Sequence, residues 1–312
     1  MTGTLTPILS VELDRPAPAS VQALVDEIRR SSGPIAAILF YGSCRRADDP
    51  SGLFDLYVLH DSHRRFHRRI VPAILNRLLP PNVVLVRTIS GGRDVRAKVA
   101  ILSRRQFARR MRVASIDTTL WARFCQPVSL VYVADAPTRL WVEANLANAA
   151  RTAVTWAVRF GPDRGTPAQF WQALFGRTYG AELRPERSNR GGLIYETDAG
   201  WFDHVLVQAL GDLGLDASLD ADGTLCPGIK RSRSLDLDWA IRRVLGRSLN
   251  LLRLVKAAFT FENGADYIVW KIGRHTGLAL DLSPWQRRHP LLAAPRLLWR
   301  LRRGTGSVGG SV

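Results

Sequence analysis

The chain carries a glycine-serine turn a short distance before a lone aspartate. The stretch FYGSCRRADDPSGLFDLYVLHD, residues 40–61, begins as an apolar strand, turns at Gly42 and Ser43, and returns with Asp55 in a second apolar strand. Glycine lets the backbone approach a phosphate, while the serine hydroxyl and amide can bind phosphate oxygens. A carboxylate on the adjacent strand suits the Mg²⁺ that bridges such oxygens. The spacing is compatible with nucleotide transfer, although a strand turn beside an aspartate also has a purely structural explanation.

The elements that would position these residues form a β-rich region. Residues 19–31 predict a helix with Ser20 as its cap, because Val21, Leu24, Val25 and Ile28 would share one face. FHRRIVPAILNRLL predicts a helix broken near Pro72. Four apolar runs are predicted as strands: IAAILFYG, FDLYVLH, NVVLVRTI and KVAILS.

The second half of the chain has a different pattern. From SRRQFARRMRV onward the periodicity is mainly helical, and the loop PERSNRGG at 185–192 interrupts it. The final segment mixes Trp, Leu and Arg before a Gly-rich end. We therefore predict an α+β protein with a sheet domain at 1–145, a helical domain at 146–283 and a basic amphipathic segment with a disordered tail at 284–312.

Composition limits the partners and the compartment. The chain has 312 residues, with 44 Lys and Arg against 27 Asp and Glu, which gives a formal charge of +17. Such a charge favours nucleic acid, an anionic membrane or phosphorylated substrates. Three cysteines without metal-ligand spacing fit a reducing compartment, and the N-terminus resembles no targeting signal. No apolar run is long enough to span a bilayer. We expect a bacterial cytoplasmic protein, peripheral on the inner face of the membrane.

The order of the turn and the strand aspartate resembles the polymerase-beta-like nucleotidyltransferase superfamily. That superfamily usually has a second acidic residue two positions later, where this chain has Tyr57. The run DLYVLHDSHRRFH is similar to the corresponding segment of the mitochondrial-type phosphatidate cytidylyltransferases, the translocator assembly and maintenance family. That family keeps a single strand aspartate, an acidic residue six positions later and an aromatic-His pair. Here these are Asp55, Asp61 and Phe66-His67.

Further motifs extend the resemblance over roughly residues 36–275. KVAILS resembles the family's lysine-containing strand and puts Lys98 at its lysine. LWARFCQPV matches at Arg123, Pro127 and Val128, and FGRTYGAELR matches a tyrosine-acid-arginine motif at Tyr179, Glu182 and Arg184. Departures from the family pattern occur at three positions: Cys44, Ala122 and Glu182.

The resemblance implies roles for these residues. Asp55, Lys98 and Arg123 would be catalytic, and Asp55 and Asp61 would bind Mg²⁺, with Asp94 an alternative second ligand. The nucleotide would be bound by Gly42, Ser43, His67, Tyr179, Glu182 and Arg184. Each side chain also has a structural explanation: Lys98 as a solvated charge, His67 as a surface imidazole, and Glu182 with Arg184 as a structural ion pair.

The implied activity is phosphatidate cytidylyltransferase. CTP and phosphatidate, or a related lipid phosphate, would give CDP-diacylglycerol and pyrophosphate, and the fold would be a nucleotidyltransferase sheet domain followed by a winged-helix-like domain. Residues 284–303 would lie on an anionic membrane surface. Nucleic acid is not expected as a partner. Two alternatives remain open: a catalytically silent scaffold of the same fold, and a nucleotidyltransferase that acts on RNA.

Overall fold

A computed structural model describes residues 5–47, 52–181, 190–229 and 235–260. The chain divides into two units, residues 1–251 and 252–312, and the described part of the second unit is the end of one helix. In the described residues the strands are β1 (Ala37–Tyr41), β2 (Phe54–His60), β3 (Asn82–Ser90), β4 (Arg93–Ser103) and β5 (Ser129–Val133). The helices are α1 (Thr6–Leu13), α2 (Ala19–Ser31), α3 (Ser43–Ala47), α4 (His63–His67), α5 (Ile70–Leu78), α6 (Arg104–Arg110), α7 (Thr118–Phe124), α8 (Ala136–Phe160), α9 (Pro167–Ala181), α10 (Arg190–Thr197), α11 (Ala199–Asp212) and α12 (Leu235–Thr260).

The five strands form one mixed sheet in the order β3-β4-β2-β1-β5. β2 and β4 run parallel, and the other neighbours run antiparallel. Side chains alternate between the faces of a strand, so Leu56 and Val58 pack against α2 while Tyr57 and Leu59 join the larger core with α7 and α8. Both faces of β2 are therefore covered, which explains its nearly continuous apolar sequence. The predicted α+β class is confirmed.

The first predicted helix is confirmed, although its start differs in detail. α2 spans Ala19–Ser31, but Pro18 rather than Ser20 occupies the cap position. The predicted helix over 66–79 is broken as expected, but a few residues before Pro72. The chain breaks at Arg68, whose φ of 54° is left-handed, and Pro72 lies in the first turn of α5. A proline is tolerated there because the N–H groups of a first turn have no partner within the helix.

Two elements are absent from the sequence prediction. α1 was not predicted, and residues 129–133 were included in a mainly helical region, whereas they form β5 at the sheet edge. β5 pairs with β1 through a register shift between Ile38 and Leu39. A five-residue strand depends on this distant partner, so its local sequence carries a weak signal.

The predicted helical character of the second half is confirmed. In the described residues after β5, extended pairing is limited to isolated bridges of Leu225 with Gly165 and with Leu219, so the winged-helix detail stays a prediction. The predicted boundary near 145 falls inside the continuous helix α8. The division into a sheet domain and a helical domain therefore also stays a prediction.

Two predictions concern contact with a membrane: the absence of a spanning run and the interfacial segment 284–303. No helix within the described ranges is long and apolar enough to cross a lipid bilayer. The predicted interfacial segment at 284–303 lies outside the described residues, as do residues 185–189 of the predicted loop.

His60 lies at the end of β2 in an apolar setting. Its side chain is fully buried, and its ring stacks on Phe66 with the ring centres 4.8 Å apart. The rings of His63 and His67 lie 4.7 and 6.0 Å away. Burial, and then the charges that His63 and His67 would carry, lower the pKa of His60 to about 3. The fold therefore holds this imidazole neutral at ordinary pH.

We predict that His60 makes the fold sensitive to acid. The unfolded chain binds a proton at this residue below its ordinary pKa of 6.5, but the folded chain binds one only near pH 3. The stabilisation is therefore complete above pH 6.5 and is lost as the pH falls toward 3, by at most about 1.4 kcal/mol per pH unit. The free energy of unfolding, measured with denaturant at about pH 7.5 and about pH 4.5, should decrease between these pH values by roughly 2 kcal/mol less in His60→Phe than in the wild type.

The matched control is His204→Gln, because His204 is exposed on α11. Its pH dependence should equal that of the wild type. Equal pH dependence of the wild type and His60→Phe would show that protonation of His60 is not coupled to unfolding.

Candidate functional site

The turn after β1 brings a glycine against a carboxylate. Gly42 has a φ of 98°, which L side chains rarely adopt, and Ser43 begins α3 directly after it. A Cβ atom on Gly42 would lie 2.9 Å from Oδ2 and 3.3 Å from Cβ of Asp55. Residue 42 therefore needs glycine both for its backbone angle and for the close approach. Asp55 is half-buried at the start of β2, so the carboxylate retains access to a ligand.

Sheet register places a lysine beside this carboxylate. Tyr41 of β1 pairs with Asp55, and Asp55 pairs with Lys98 of β4. Neighbouring strands lie about 4.8 Å apart, and residues in register point to the same face. Lys98 is also half-buried. The predicted grouping of Asp55, Lys98 and the Gly42-Ser43 turn is therefore brought together at one end of the sheet.

Arg123 reaches the same face from α7. The side chain of Asp117 caps α7 by accepting a hydrogen bond from the Thr119 amide. At the other end of this helix, the Arg123 guanidinium donates to the Tyr57 hydroxyl over 3.2 Å. Tyr57 lies two residues after Asp55 on β2 and therefore on the same face. The contact holds a cation over the face of β2 to which the Asp55 side chain also belongs.

Tyr57 is a site residue that the sequence analysis did not assign. Its ring is buried, with centres 5.2 Å from Tyr41 and 4.9 Å from Phe124. This packing leaves the Tyr57 hydroxyl in position to accept the hydrogen bond from Arg123. Its period-two spacing from Asp55 was a usable signal, because it puts both side chains on one face of β2.

Two predicted site residues lie at the opposite end of β2. Asp61 follows the strand six residues after Asp55, a separation of about 20 Å at about 3.3 Å per residue, and it pairs with Arg104 over 3.4 Å. The prediction that Asp55 and Asp61 bind the same metal is therefore wrong. The ring of His67 lies 6.0 Å from that of His60, the last residue of β2. His67 is thus too far from Gly42 to contact the same phosphate.

The alternative second ligand is also remote. Asp94 lies four residues before Lys98 on β4, about 13 Å away, and it forms an ion pair with Arg96 over 2.6 Å. Tyr179 lies in α9, whereas Glu182 and Arg184 lie outside the described residues. The nucleotide-binding roles of these last three residues stay predictions.

Metal binding at this site would rely on one protein carboxylate. Within the described ranges, no group of three or more His, Cys, Asp or Glu side chains could hold a metal ion. Mg²⁺ is often bound by one or two carboxylates together with substrate phosphates and water. Asp55 fits that mode, and the described residues do not form a metal site made of protein ligands alone.

The buried Arg45 side chain connects α3, the helix that follows the Gly42 turn, to α1 and β5. The Arg45 side chain on α3 is only 3% exposed, and it pairs with the Glu12 carboxylate of α1. Its Nε also donates to the Ser129 hydroxyl on β5 over 3.0 Å. Burial lowers the pKa of Arg45, while burial and then Glu12 raise the pKa of Asp198. This network joins α1, α3 and β5 and was not predicted from the sequence.

Comparisons with known proteins add little to this geometry. No family model and no curated protein matches the chain. Among solved structures, a nucleotidyltransferase-like protein from Exiguobacterium sibiricum 255-15 aligns with a TM-score of 0.27 and 10% identity. The alignment covers 82% of this chain and 79% of that chain. A TM-score this low supports no conclusion about function.

We predict that Gly42→Ala is more destabilising than an equivalent change elsewhere. The positive φ alone costs an alanine about 1 kcal/mol, and contact with Asp55 should raise the total to roughly 2 kcal/mol or more. Gly91→Ala is the matched control, since Gly91 has a φ of 55° and an added Cβ there would meet nothing within 4 Å. Denaturant unfolding of both variants measures the difference.

The Asp55→Ala background separates the contact from the backbone strain. Removing Oδ2 should reduce the cost of Gly42→Ala, because that oxygen is the nearest atom to the added Cβ. An unchanged cost in this background would show that the carboxylate does not occupy the space beside Gly42.

We also predict that Arg45→Met destabilises the fold by about 3 kcal/mol, because Glu12 loses its partner. The double variant Glu12→Met/Arg45→Met should recover at least half of this loss, since Nη1 of Arg45 is buried without a partner in the described residues. Arg30→Met is the control: Arg30 is 71% exposed where it pairs with Glu27, so less than about 1 kcal/mol is expected. Equal unfolding free energies for Arg45→Met and Arg30→Met would rule out the anchoring role.

Proposed function

We propose that the protein is a Mg²⁺-dependent nucleotidyltransferase that transfers CMP from CTP to phosphatidate. The observation that carries this proposal is the close approach of Gly42 to the Asp55 carboxylate, in register with Lys98. A glycine that opens the backbone to a phosphate, beside a carboxylate and a cation, is suited to a triphosphate. The choice of CTP and of a lipid acceptor rests on the family resemblance of the sequence.

The proposed reaction is an in-line displacement at phosphorus. An oxygen of the lipid phosphate forms a bond to the α-phosphorus of CTP, and the bond from that phosphorus to the oxygen bridging it to the β-phosphorus breaks. Pyrophosphate leaves with the bonding electron pair, and CDP-diacylglycerol is the other product. A phosphate monoester is already anionic at neutral pH. The attack therefore needs no strong general base, which fits a site with a single carboxylate in the described residues.

The residues around the turn have distinct roles in this proposal. Asp55 would hold Mg²⁺ together with the phosphates, and the ion when bound supplies charge neutralisation at the leaving pyrophosphate. Lys98 would pair with a phosphate oxygen as a point charge. Arg123 would bind a second phosphate group, with its guanidinium oriented by the Tyr57 hydroxyl.

The test is pyrophosphate release from CTP in the presence of phosphatidate and Mg²⁺. We expect Asp55→Asn to lower turnover by about a hundredfold or more. Asp61→Asn is the matched control, because Asp61 is an exposed carboxylate at the far end of the same strand and should retain full activity. Full activity of Asp55→Asn, or equal losses in the two variants, would contradict the assignment.

Arg123 and Tyr57 form a testable pair. Arg123→Met should lower kcat/KM by roughly ten- to a hundredfold, the value of one charge-assisted contact. Tyr57→Phe should have a smaller effect that disappears in the Arg123→Met background, because the hydroxyl acts through Arg123. Additive losses in the double variant would mean that the two side chains act independently.

A catalytically silent scaffold is the second candidate. It is favoured by the sequence Asp55-Leu56-Tyr57, because the superfamily that the chain resembles usually has a second acidic residue two positions after the first. CTP binding by the wild type without release of pyrophosphate would support the scaffold. Release of pyrophosphate with an RNA acceptor but not with phosphatidate would instead support an RNA nucleotidyltransferase.

A further inference from the structure

The outer face of α5 exposes four large aliphatic side chains. Ile70, Val71, Ile74 and Leu78 are 70%, 67%, 50% and 74% exposed. At about 100° per residue they lie within one arc of about 100° on the helix surface. Monomeric soluble proteins rarely expose such a contiguous apolar strip unless it contacts a partner.

The inner side of α5 is held firmly to the sheet. The buried Asn76 side chain donates to the Ile101 carbonyl over 2.8 Å. The Gln106 amide of α6 donates to the Asn76 and Arg77 carbonyls over 3.0 and 3.2 Å. The apolar strip is therefore presented by a fixed helix, and a rotation that buried it would break these hydrogen bonds.

The strip is surrounded by positive charge. Residues 62–93 contain no aspartate or glutamate. Seven exposed arginines occur in this range: Arg64, Arg65, Arg68, Arg69, Arg77, Arg87 and Arg93. None of the five on or beside α4 and α5 forms an ion pair with a carboxylate of the described residues. Their charge is available to an external anion.

We propose that the outer face of α5 docks on an anionic membrane surface. An amphipathic helix with aliphatic side chains on one face and arginines beside them lies in the plane of the headgroups. Each arginine near an anionic surface strengthens binding by about fivefold. α5 has nine residues, so it is far too short to span a bilayer. This inference does not rest on the proposed reaction, and it concerns a surface other than segment 284–303.

Other occupants fit the surface less well. A second copy would bring two unpaired arginine clusters face to face, and the repulsion would oppose association. Single-stranded nucleic acid is bound through aromatic stacking, but the one aromatic residue between 62 and 93 is the buried Phe66. Aliphatic side chains cannot stack on bases, whereas they insert readily at the boundary between lipid headgroups and acyl chains.

The test is sedimentation of the full chain with vesicles at near-physiological salt. The vesicles contain phosphatidylserine in a phosphatidylcholine background and no phosphatidate, so recognition of the proposed substrate does not contribute. Ile74→Gln/Leu78→Gln should weaken binding by at least about tenfold, since burial of one large aliphatic side chain changes partitioning by that factor. Arg65→Gln/Arg69→Gln should weaken binding and reduce its salt dependence.

The matched control is Val11→Gln/Leu140→Gln. These side chains are 75% and 65% exposed on α1 and α8, and their removal should change binding less than about twofold. Thermal melting verifies that all variants fold. Unchanged binding of Ile74→Gln/Leu78→Gln, or no binding of the wild type, would overturn the proposal. If the wild type does not bind vesicles but binds RNA, and Arg65→Gln/Arg69→Gln weakens that binding, the surface is a nucleic-acid site and the proposal is overturned. If the wild type does not bind vesicles but self-associates, and Ile74→Gln/Leu78→Gln abolishes the self-association, the surface is an interface between copies and the proposal is also overturned. Because CTP is omitted, failure of the proposed reaction leaves this result unaffected.

Discussion

The contact between the Gly42 backbone and the Asp55 carboxylate is the constraint on which the described site depends. It requires a positive φ at the end of β1 and no side chain at residue 42. The same contact fixes where α3 begins and which residue of β2 faces the turn. Tyr41 of β1 pairs with Asp55 of β2 in antiparallel register, and Asp55 pairs with Lys98 of β4 in parallel register. The carboxylate and the ammonium therefore belong to neighbouring positions on one face of the sheet. The chemistry of the site thus follows from register and one backbone angle.

An aromatic column carries this arrangement from the sheet to the helices. The Tyr57 ring lies 4.9 Å from Phe124, which lies 4.9 Å from Phe107 of α6. Edge-to-face contacts of this kind restrict ring orientation. They therefore fix where the Tyr57 hydroxyl points and where Arg123, one residue before Phe124, can lie. The packing of these apolar rings therefore determines where the Arg123 guanidinium lies.

Local patterns predicted the elements well, and long-range contacts were the main failure. FDLYVLH and residues 19–31 were assigned correctly because apolar periodicity identifies a buried face. β5 and the Arg45-Glu12 pair join segments far apart in the chain, and no local signal encodes them. The metal role predicted for Asp61 followed from the motif resemblance, whereas the rise along β2 separates Asp61 from Asp55 by about 20 Å.

Part of the net positive charge is concentrated in residues 62–93, which include α4 and α5. The excess of 17 positive charges follows from 44 − 27 over the whole chain. Residues 62–93 supply seven arginines and no acid, so the rest of the chain carries 17 − 7 = 10. Lys98 precedes Ser103, the residue that caps α6, by five residues of β4, or about 17 Å. Gln106 of α6 donates to the Asn76 and Arg77 carbonyls, so this part of α5 lies toward the end of β4 that is remote from Lys98, and the arginines there are available to a separate anionic partner.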